Sequence, residues 1–502
     1  MAADCPEPQV CRRCRKEGHF AAECPEPMRC HRCGETGHMG KDCEEGLRTH
    51  TFTDAEGNEK EIYVPSENDN AEELYKMGVQ SGINFSKYSS IPLKVTGENA
   101  PDTNVKTFEG MGLRELVLNN IKKSDYKVPT PVQVGAIPII KSKRDLMACA
   151  QTGSGKSAAF LVPIVERLLE ENVGSNASED RAPVKPEAVI VTPTRELARQ
   201  IHRQAKKFAH GSVLRAVVAY GETSVIHQIE EIRKGCNILV ATPGRLLHFA
   251  EGNVVSFSGV KVLVLDEADR MLDEGFMESV QKTVTTADMA PAGTRQTLMF
   301  SATFSDAVQE TAQEFLDTSY LFLTVGTVGV GMVGGIHSDI SIGRLNILRH
   351  TILNVNIIEC ILEFHEVEAS DKREKLDTLL GEVDKDKIEK TIIFVGVSFS
   401  SSVLQLCTFI LHFQKKTSAD YLSAYLSGEN LLTTSIHGDR TQRQREEALA
   451  DFTEGRFKIL VATAVAARGL DIPRVQHVIN YDLPDTADEF IHRIGKFITT
   501  LC

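Results

Sequence analysis

A segment rich in glycine and hydroxyl residues, Ala150-Gln-Thr-Gly-Ser-Gly-Lys-Ser157, has the composition and spacing of a phosphate-binding loop. It follows an apolar stretch and precedes a helical one, so we expect backbone amides and a helix N-terminus to face an anion there. Lys156 can then reach the β and γ phosphates of a nucleotide, and the Ser157 hydroxyl can ligate Mg²⁺. A loop without a ligand is the weaker alternative. The predicted nucleotide-binding residues are Ala150, Gln151, Thr152, Gly153, Ser154, Gly155, Lys156 and Ser157.

Three carboxylates accompany a second apolar stretch, Val262–Asp266. Asp266 is placed at the strand end to hold Mg²⁺, and Glu267 is placed to orient or deprotonate an attacking water. Taken alone, the segment is equally compatible with a solvated acidic turn. Because the same chain contains a phosphate-binding loop, we predict that these carboxylates serve nucleotide hydrolysis.

Two segments near the N-terminus share the spacing Cys-x2-Cys-x4-His-x4-Cys. Three thiolates and one imidazole form a closed tetrahedral Zn²⁺ site, which is structural rather than catalytic. Basic side chains nearby can contact RNA phosphates, although such modules also bind proteins. An unligated cysteine-rich tail is the weaker alternative, because the spacing occurs twice. The predicted zinc ligands are Cys11, Cys14, His19, Cys24, Cys30, Cys33, His38 and Cys43.

The bulk composition is that of an ordinary globular chain with several domains. A chain of 502 residues is too long to fold around a single hydrophobic core. Because the formal net charge is −13, any binding of nucleic acid must use local basic side chains and backbone amides. The N-terminus lacks a secretion pattern, and the longest apolar stretch, 403–413, is shorter than the ~20 residues of a membrane helix. We therefore expect no membrane association, and a reducing cytoplasmic or nuclear compartment fits the 12 cysteines.

Short apolar strands alternate with helical segments in two successive runs, which predicts an α/β fold with two parallel-sheet domains in tandem. The predicted strands are 145–150, 188–192, 237–241, 260–266 and 297–301, followed by 391–395, 432–436, 458–462 and 475–481. The predicted domains are zinc-binding repeats over 1–46, an acidic flexible linker over 47–107, a first α/β domain over 108–325, a linker with a suspected insertion over 326–364, and a second α/β domain over 365–502. We expect the end of the acidic linker, around Ile91, to pack on the first α/β domain. We also expect the chain to begin inside a longer repeat array, because Cys5 matches only the last ligand position of the 19-residue repeat.

Two segments interrupt the second run. Residues 326–364 are first rich in Gly and then rich in Ile, Leu and Asn. Residues 396–414 are mostly apolar and lie between a predicted strand and the helix expected to follow it. Such a connection is normally short and polar. Our hypothesis is that both segments, and the tail after Lys496, are translated intron sequence. A genuine insertion loop of this lineage is the alternative.

Four further motifs occur in a fixed order with the phosphate-binding loop. They are Pro193-Thr-Arg-Glu-Leu197, Thr242-Pro-Gly-Arg245, Asp266-Glu-Ala-Asp269 and Ser301-Ala-Thr303. Together they resemble the DEAD-box RNA helicases, and the likeness extends over about 108–495 apart from the two interruptions. The zinc-binding repeats, Asn84-Phe-Ser-Lys-Tyr88 and Arg270-Met-Leu-Asp-Glu-Gly-Phe276 are similar to the Vasa-like germline branch, and to nematode germline helicases in particular.

The resemblance implies two RecA-like domains that bind ATP with Mg²⁺ between them and RNA across both. ATP binding and hydrolysis would be coupled to RNA clamping and to local unwinding of duplexes. Contacts with RNA would go mostly to its backbone and would be largely independent of sequence. The resemblance also implies a cytoplasmic protein of perinuclear germ granules, with granule proteins as partners.

The segment Pro129-Thr-Pro-Val-Gln133 resembles the one with which this family reads adenine. An amide side chain donates and accepts at once, so Gln133 can distinguish adenine from guanine. Phe108 stands where the family stacks an aromatic ring on the base. The family's Gly-Tyr pair is Asp125-Tyr126 in this chain.

The family pattern assigns the remaining roles by position. Ser301 and Thr303 would couple the nucleotide state to domain closure through Asp269. The implied catalytic set is Lys156, Asp266, Glu267, Ser301, Thr303 and Arg493, and the implied nucleotide contacts from the second domain are Gly469 and Asp471. The implied RNA contacts are Thr194, Arg195, Thr242, Gly244, Arg245, Gly438, Gln442, Arg445 and Thr463.

Besides Asp125, three positions depart from the family pattern. Glu222 replaces the second glycine expected after Tyr220, at a place where an RNA contact is implied. Lys496 and Thr499 stand where the family places two arginine fingers, and their presence favours a non-hydrolysing ATP- and RNA-binding scaffold as the alternative function. The chain also ends before the closing strand and helix that the resemblance implies for the second domain.

Overall fold

Two parallel β-sheets, each packed with helices, organise most of the described part of the chain. The computed structural model describes residues 51–53, 59–61, 74–75, 91–150, 153–177, 182–273, 275–286, 288–326, 365, 367–368, 370–381, 390–395, 408–463, 472, 475–482 and 493. The chain divides into two units, Met1–Val64 and Pro65–Cys502. In the first unit the described residues form an antiparallel pair, β1 (Thr51–Thr53) and β2 (Glu59–Glu61).

The larger sheet has eight strands. They are β3 (Leu93–Thr96), β4 (Leu146–Cys149), β5 (Ala188–Val191), β6 (Ala216–Ala219), β7 (Ile238–Ala241), β8 (Val262–Asp266), β9 (Gln296–Ser301) and β10 (Leu321–Val325). Their spatial order is β3-β10-β4-β9-β8-β5-β7-β6, and every neighbouring pair is parallel except β3 with β10. The inner strands β4, β5, β7, β8 and β9 are buried along their whole length, as expected for a parallel sheet covered on both faces.

Helices cover both faces of this sheet. They are α1 (Glu115–Lys123), α2 (Pro131–Lys141), α3 (Lys156–Glu170), α4 (Arg195–Ala209), α5 (Val225–Arg233), α6 (Pro243–Glu251), α7 (Ala268–Asp273), α8 (Met277–Val284) and α9 (Asp306–Phe315). Successive strand residues point to opposite faces. Val264 therefore packs in the cluster that contains Phe160 of α3, whereas Leu263 packs in the cluster that contains Phe315 of α9.

The β3 strand lies within the range predicted as linker. Leu93 pairs with Val325 and Thr96 pairs with Phe322, so β3 extends the sheet beyond β10. The segment around Ile91 thus packs on the first α/β domain through strand pairing. The larger sheet thus contains residues before and after Phe108, the residue at which we expect the first α/β domain to begin.

The smaller sheet has four parallel strands, β11 (Thr391–Val395), β12 (Thr433–Ile436), β13 (Ile459–Thr463) and β14 (His477–Asn480), in the order β12-β13-β11-β14. The helices described with it are α10 (Lys372–Gly381), α11 (Thr408–Gly428) and α12 (Gln442–Glu454). Ile393 and Phe394 pack in clusters on opposite faces. Because α11 begins at Thr408, the last residues of the suspected insertion 396–414 are helical. Residues 396–407 and 327–364 lie outside the described part.

The predicted α/β class with two tandem parallel sheets is confirmed. The nine predicted strands differ from the observed ones by at most two residues at either end. Sequence reasoning missed β1 and β2, which lie in the range predicted as linker, and β3, β6 and β10, which are short or lie near the ends of the larger sheet. Among the described residues, none of the helices has the length and apolar character required to span a bilayer.

Candidate nucleotide site and RNA interface

The phosphate-binding loop joins β4 to α3. Gly153 and Gly155 have φ angles of +80° and +89°, a region that favours glycine. A Cβ atom at Gly155 would also lie 2.6 Å from Nε2 of Gln133, so this close approach requires glycine. The Ser154 hydroxyl is buried and has no hydrogen-bond partner among the described residues. An orphaned polar atom in this loop fits a site that receives a polar ligand.

Lys156 begins α3 and is almost completely buried. Its Nζ donates to the carbonyl oxygen of Ala150 at 3.0 Å, and the Ala150 N–H donates to the carbonyl oxygen of Ser301 at 3.0 Å. These bonds hold the lysine beside the ends of β4 and β9. Ser157 follows in the first turn of α3 and is partly buried. The two other predicted loop residues, Gln151 and Thr152, lie outside the described residues.

Asp266 ends β8, which pairs with β9. The residue is 3% exposed, and burial raises the pKa of its carboxyl group to about 7 even though the charge of Lys156 acts in the opposite direction. A divalent cation would favour the ionised carboxylate. Within the described ranges, no three His, Cys, Asp or Glu side chains are grouped to hold a metal ion. The carboxylate of Asp266 and the hydroxyl of Ser157 are oxygen donors of the kind that Mg²⁺ takes together with nucleotide phosphates, so these residues fit this ion.

Glu267 is held by an arginine to which the sequence analysis gave no role. The backbone of Glu267 has a φ angle of +56°, which is uncommon for a residue other than glycine. Nη1 of Arg270 lies 2.5 Å from its Oε2, and the Arg270 side chain is 2% exposed. The available sequence signal was the i,i+3 spacing of opposite charges at the start of a helix. Burial of this pair fixes the carboxylate beside Asp266.

Asp269 links the end of β8 to the segment after β9. Its Oδ2 accepts hydrogen bonds from the N–H groups of Ala302 and Thr303, at 3.0 and 3.1 Å, and from the Thr303 hydroxyl at 3.2 Å. The Ser301 hydroxyl accepts the Thr303 N–H at 3.3 Å. A displacement of the segment after β8 would therefore also move the segment after β9, and the reverse.

The predicted adenine-reading segment is tied to the phosphate-binding loop. Gln133 is fully buried; its Oε1 accepts the Thr130 N–H at 3.0 Å, and its Nε2 donates to the Gly155 carbonyl oxygen at 3.2 Å. Phe108 is 4% exposed and packs edge-on to Tyr126, with 6.3 Å between ring centroids. The structure thus brings Gln133 to the loop, whereas Phe108 lies in the domain core and its stacking on a base stays a prediction.

Two arginines predicted to contact RNA lie at neighbouring helix starts. Arg195 begins α4 after β5, and Arg245 lies in the first turn of α6 after β7. Because β5 and β7 are adjacent and parallel, both helices begin at one edge of the sheet. Nη1 of Arg245 donates to Oε1 of Gln228 at 3.1 Å, and the pKa of Arg245 is lowered by burial and by the charge of Arg195. The other RNA contacts predicted at these two helix starts are Thr194, Thr242 and Gly244.

Side chains of α4 and α12 join the two α/β domains. The contacts are Arg445–Glu196 at 2.7 Å, Arg199–Glu446 at 2.5 Å and Arg195–Gln442 at 3.5 Å. Predicted RNA residues of both domains therefore meet at one place, and the carboxylates there were not anticipated from the sequence. Of the remaining predicted contacts, Gly438 lies between β12 and α12, and Thr463 ends β13.

Arg493 is anchored within the second α/β domain. Its Nη1 donates to Oδ1 of Asn480 at 3.1 Å and to the carbonyl oxygen of Asp482 at 2.8 Å. Its guanidinium lies over the Phe394 ring, 5.1 Å from the centroid. The predicted nucleotide contacts Gly469 and Asp471, and the eight predicted zinc ligands, lie outside the described residues.

Family models match three parts of the chain. The model described as DEAD/DEAH box helicase matches residues 130–311, and the one described as helicase conserved C-terminal domain matches residues 371–498. A zinc-knuckle model matches residues 9–26 and 28–45, which contain the eight predicted ligands. The two segments predicted as complete zinc-binding repeats are thus confirmed as zinc knuckles.

Curated relatives cover most of this chain. The ATP-dependent RNA helicase vasa of Drosophila melanogaster is 45% identical over 438 residues, which are 87% of this chain and 58% of that protein. The probable ATP-dependent RNA helicase DDX4 of Homo sapiens is 44% identical over 451 residues, which are 88% of this chain and 56% of that protein. The chain thus spans a little more than half the length of these relatives.

Among solved structures, Dbp5 of S. cerevisiae bound to RNA and ADP BeF3 has a TM-score of 0.57 and 27% sequence identity. The match covers 78% of this chain and 86% of that one. Its two domains correspond to the two parallel sheets described above. These matches show that the chain belongs to the DEAD-box helicase family, with CCHC zinc knuckles before two RecA-like domains.

Proposed function

We propose that the protein is an ATP-dependent RNA helicase that couples ATP binding and hydrolysis to RNA clamping and local duplex unwinding. One observation carries this proposal: the phosphate-binding loop, the carboxylates Asp266 and Glu267, and the segment Ser301–Thr303 converge at the ends of three adjacent strands, β4, β8 and β9. The names of the vasa and DDX4 relatives support the reaction. The similar Dbp5 structure, which is bound to RNA and ADP BeF3, supports binding of both kinds of ligand.

In this proposal the loop amides and Lys156 hold the nucleotide phosphates, and Ser157 and Asp266 hold Mg²⁺, which stabilises negative charge during phosphoryl transfer. Glu267 orients the attacking water and accepts its proton. Gln133 selects adenine, because its amide already contacts the loop at Gly155. Gly469, Asp471 and Arg493 complete the site from the second domain.

RNA binds across the edge where α4, α6 and α12 begin. Arg195 and Arg245 hold phosphates through the first domain, and Gln442 and Arg445 do so through the second. Because Asp269 follows the end of β8 by three residues and accepts two hydrogen bonds from Thr303, it transmits the nucleotide state toward domain closure. Contacts with the RNA backbone give little sequence preference.

A non-hydrolysing ATP- and RNA-binding scaffold is the second candidate. It is favoured by Lys496 and Thr499, which replace two arginines expected to meet the γ-phosphate. A lysine supplies charge but not the bidentate geometry of a guanidinium. In addition, the Arg493 side chain is engaged with Asn480 and Asp482.

Further parts of the proposal rest on the family. The two zinc knuckles bind Zn²⁺ and contact RNA. The protein acts in the cytoplasm, at perinuclear germ granules, with granule proteins as partners. It belongs to a germline branch of the family that resembles the nematode helicases. The translated-intron hypothesis for 326–364 and 396–414 is tested by sequencing the mature transcript: codons for 396–414 in it would refute the idea.

The function is tested by RNA-stimulated phosphate release and by separation of a short duplex, both with the full 502-residue chain. We expect phosphate release to rise when single-stranded RNA is added. RNA binding without any rise in phosphate release would instead establish the scaffold. A chain that binds neither RNA nor ATP would refute both candidates.

A further inference from the structure

The loop between β6 and α5 contains a residue in an unfavourable backbone conformation. Glu222 has a φ angle of +61°, a region in which glycine is favoured and a longer side chain is strained. The loop around it is well defined, because the Thr223 hydroxyl donates to the Tyr220 carbonyl oxygen at 3.2 Å and Nε2 of Gln228 donates to the same oxygen at 2.9 Å. A strained residue held this firmly points to a role for its side chain.

The Glu222 carboxylate engages both ends of one guanidinium. Its Oε1 accepts from Nη2 of Arg195 at 2.8 Å, and its Oε2 pairs with Nη1. This two-pronged geometry is the one that arginine also offers to a phosphate. Arg195 is the first residue of α4, where the helix N-terminus itself attracts anions. The carboxylate therefore lies where an RNA phosphate would be expected.

The other carboxylates on this face differ in accessibility. Glu196 and Glu446 pair with Arg445 and Arg199 across the two domains, and their side chains are only 6% and 9% exposed. The Glu222 side chain is 55% exposed. A ligand that approaches from solvent can thus displace Glu222 without separating the domains. This exchange frees both ends of the Arg195 guanidinium from the carboxylate and leaves the longer contact of its Nη1 with Oε1 of Gln442, at 3.5 Å.

We propose that Glu222 determines the affinity for RNA by occupying Arg195 in place of a phosphate. RNA binds only by exchanging its phosphate for this carboxylate, and the displaced carboxylate then repels the neighbouring phosphate. The consequence is weaker binding and faster release of RNA, while the nucleotide site is unaffected. This inference rests on the proposed function of the same face in RNA binding.

The test uses the full chain and a fluorescein-labelled ten-nucleotide oligouridine, with binding followed by anisotropy. Glu222→Gln removes the charge at nearly constant size, and Glu222→Gly also relieves the backbone strain. Glu310→Gln, at an exposed position of α9, is the matched control for net charge. Binding of a fluorescent ATP analogue, unchanged in all variants, shows that they are folded.

We expect both Glu222 variants to bind the RNA about three- to tenfold more tightly at low salt, because one more guanidinium is free to meet a phosphate. In the wild type the displaced Glu222 carboxylate takes up a cation, which offsets the cation that the RNA releases when Arg195 neutralises a phosphate. The variants lack this carboxylate, so the slope of log affinity against log salt should steepen in them by roughly 0.7. Glu310→Gln should leave affinity and slope as in the wild type.

The inference is overturned if Glu222→Gln binds like the wild type, or if it gains no more than Glu310→Gln. It is also overturned if only Glu222→Gly binds more tightly, because the backbone rather than the charge would then be responsible. If neither the wild type nor any variant binds oligouridine, the proposed RNA-binding function itself fails, and the inference fails with it.

Discussion

The nucleotide site and the RNA interface use acidic side chains in opposite ways. At the nucleotide site, Asp266, Glu267 and Asp269 are each at most 5% exposed and are held by bonds within one domain. On the proposed RNA interface, Glu222 is largely accessible to solvent and pairs with Arg195, the residue that we propose binds a phosphate. If the two proposals hold, the difference teaches that hydrolysis demands a fixed geometry, whereas clamping and release of a polyanion benefit from internal anions that can be displaced.

The first test of the fixed geometry is Glu267→Gln. We expect RNA-stimulated phosphate release to fall by about 10²–10⁴-fold, because an amide cannot accept the proton of the attacking water. ATP binding should persist, since Glu267 is not assigned to the phosphates. The measurement is single-turnover phosphate release, with Glu310→Gln as the control. Undiminished release would remove Glu267 from the catalytic set.

Arg270→Met tests how strongly the buried pair stabilises the first domain. Removing one partner leaves Glu267 charged and unpaired, which should lower the free energy of unfolding by about 3–5 kcal/mol. Denaturant unfolding of the full chain, followed by a probe in the first domain, measures the change. The double variant Arg270→Met with Glu267→Gln should recover part of the loss. A single-variant loss near zero would show that the pair is not an important contact.

The pH dependence of stability tests the environment of Asp266. Its pKa is about 7 in the folded chain, against an ordinary value of 3.8. Between these values the folded state binds a proton that the unfolded state has lost, so stability should fall as pH rises from about 4 to about 7 when Mg²⁺ is absent. Asp266→Asn should abolish this part of the decline. Thermal unfolding over that pH range measures it, and identical profiles for the two proteins would contradict the raised pKa.

A smaller effect is expected for the pair Arg199–Glu446, which joins the domains on the RNA side. Arg199 is 28% exposed, so water screens the pair. A double-mutant cycle with Arg199→Met and Glu446→Gln should give a coupling of about 1 kcal/mol or less in unfolding experiments. A coupling free energy as large as the loss expected for Arg270→Met would show that the ion pairs of the two regions do not differ in strength.

The proposed nucleotide site could be assigned residue by residue from the sequence because its motifs are local in the chain, and this assignment stays a prediction. The phosphate-binding loop occupies eight consecutive residues, 150–157, and Asp266 and Glu267 follow directly from a buried strand. The contact between Glu196 and Arg445 joins residues 249 positions apart (445 − 196), and no local periodicity announces such a pair. The pairing of Glu222 with Arg195 was hidden for a similar reason, because Arg195 lies 27 positions away at the start of α4.

The edges of the larger sheet were also outside the reach of pattern reasoning. The strand β6 is four residues long and contains two alanines, so its apolar signal is weak. The strand β3 lies in an acidic, polar part of the sequence, and it can be identified as a strand only from its pairing with β10. Local composition describes the centre of a sheet better than its margins, where pairing partners decide.

That margin has a practical consequence for dissecting the protein. A recombinant fragment that begins at Phe108 would lack Leu93–Thr96 and expose the β10 backbone that β3 covers. Unpaired strand edges recruit other chains, so such a fragment is prone to self-association. A fragment that begins before Ile91 keeps β10 paired and ends the sheet with the four-residue strand β3, which carries Lys94. Short, charged edge strands resist such pairing, so this fragment should remain dispersed at the same concentration.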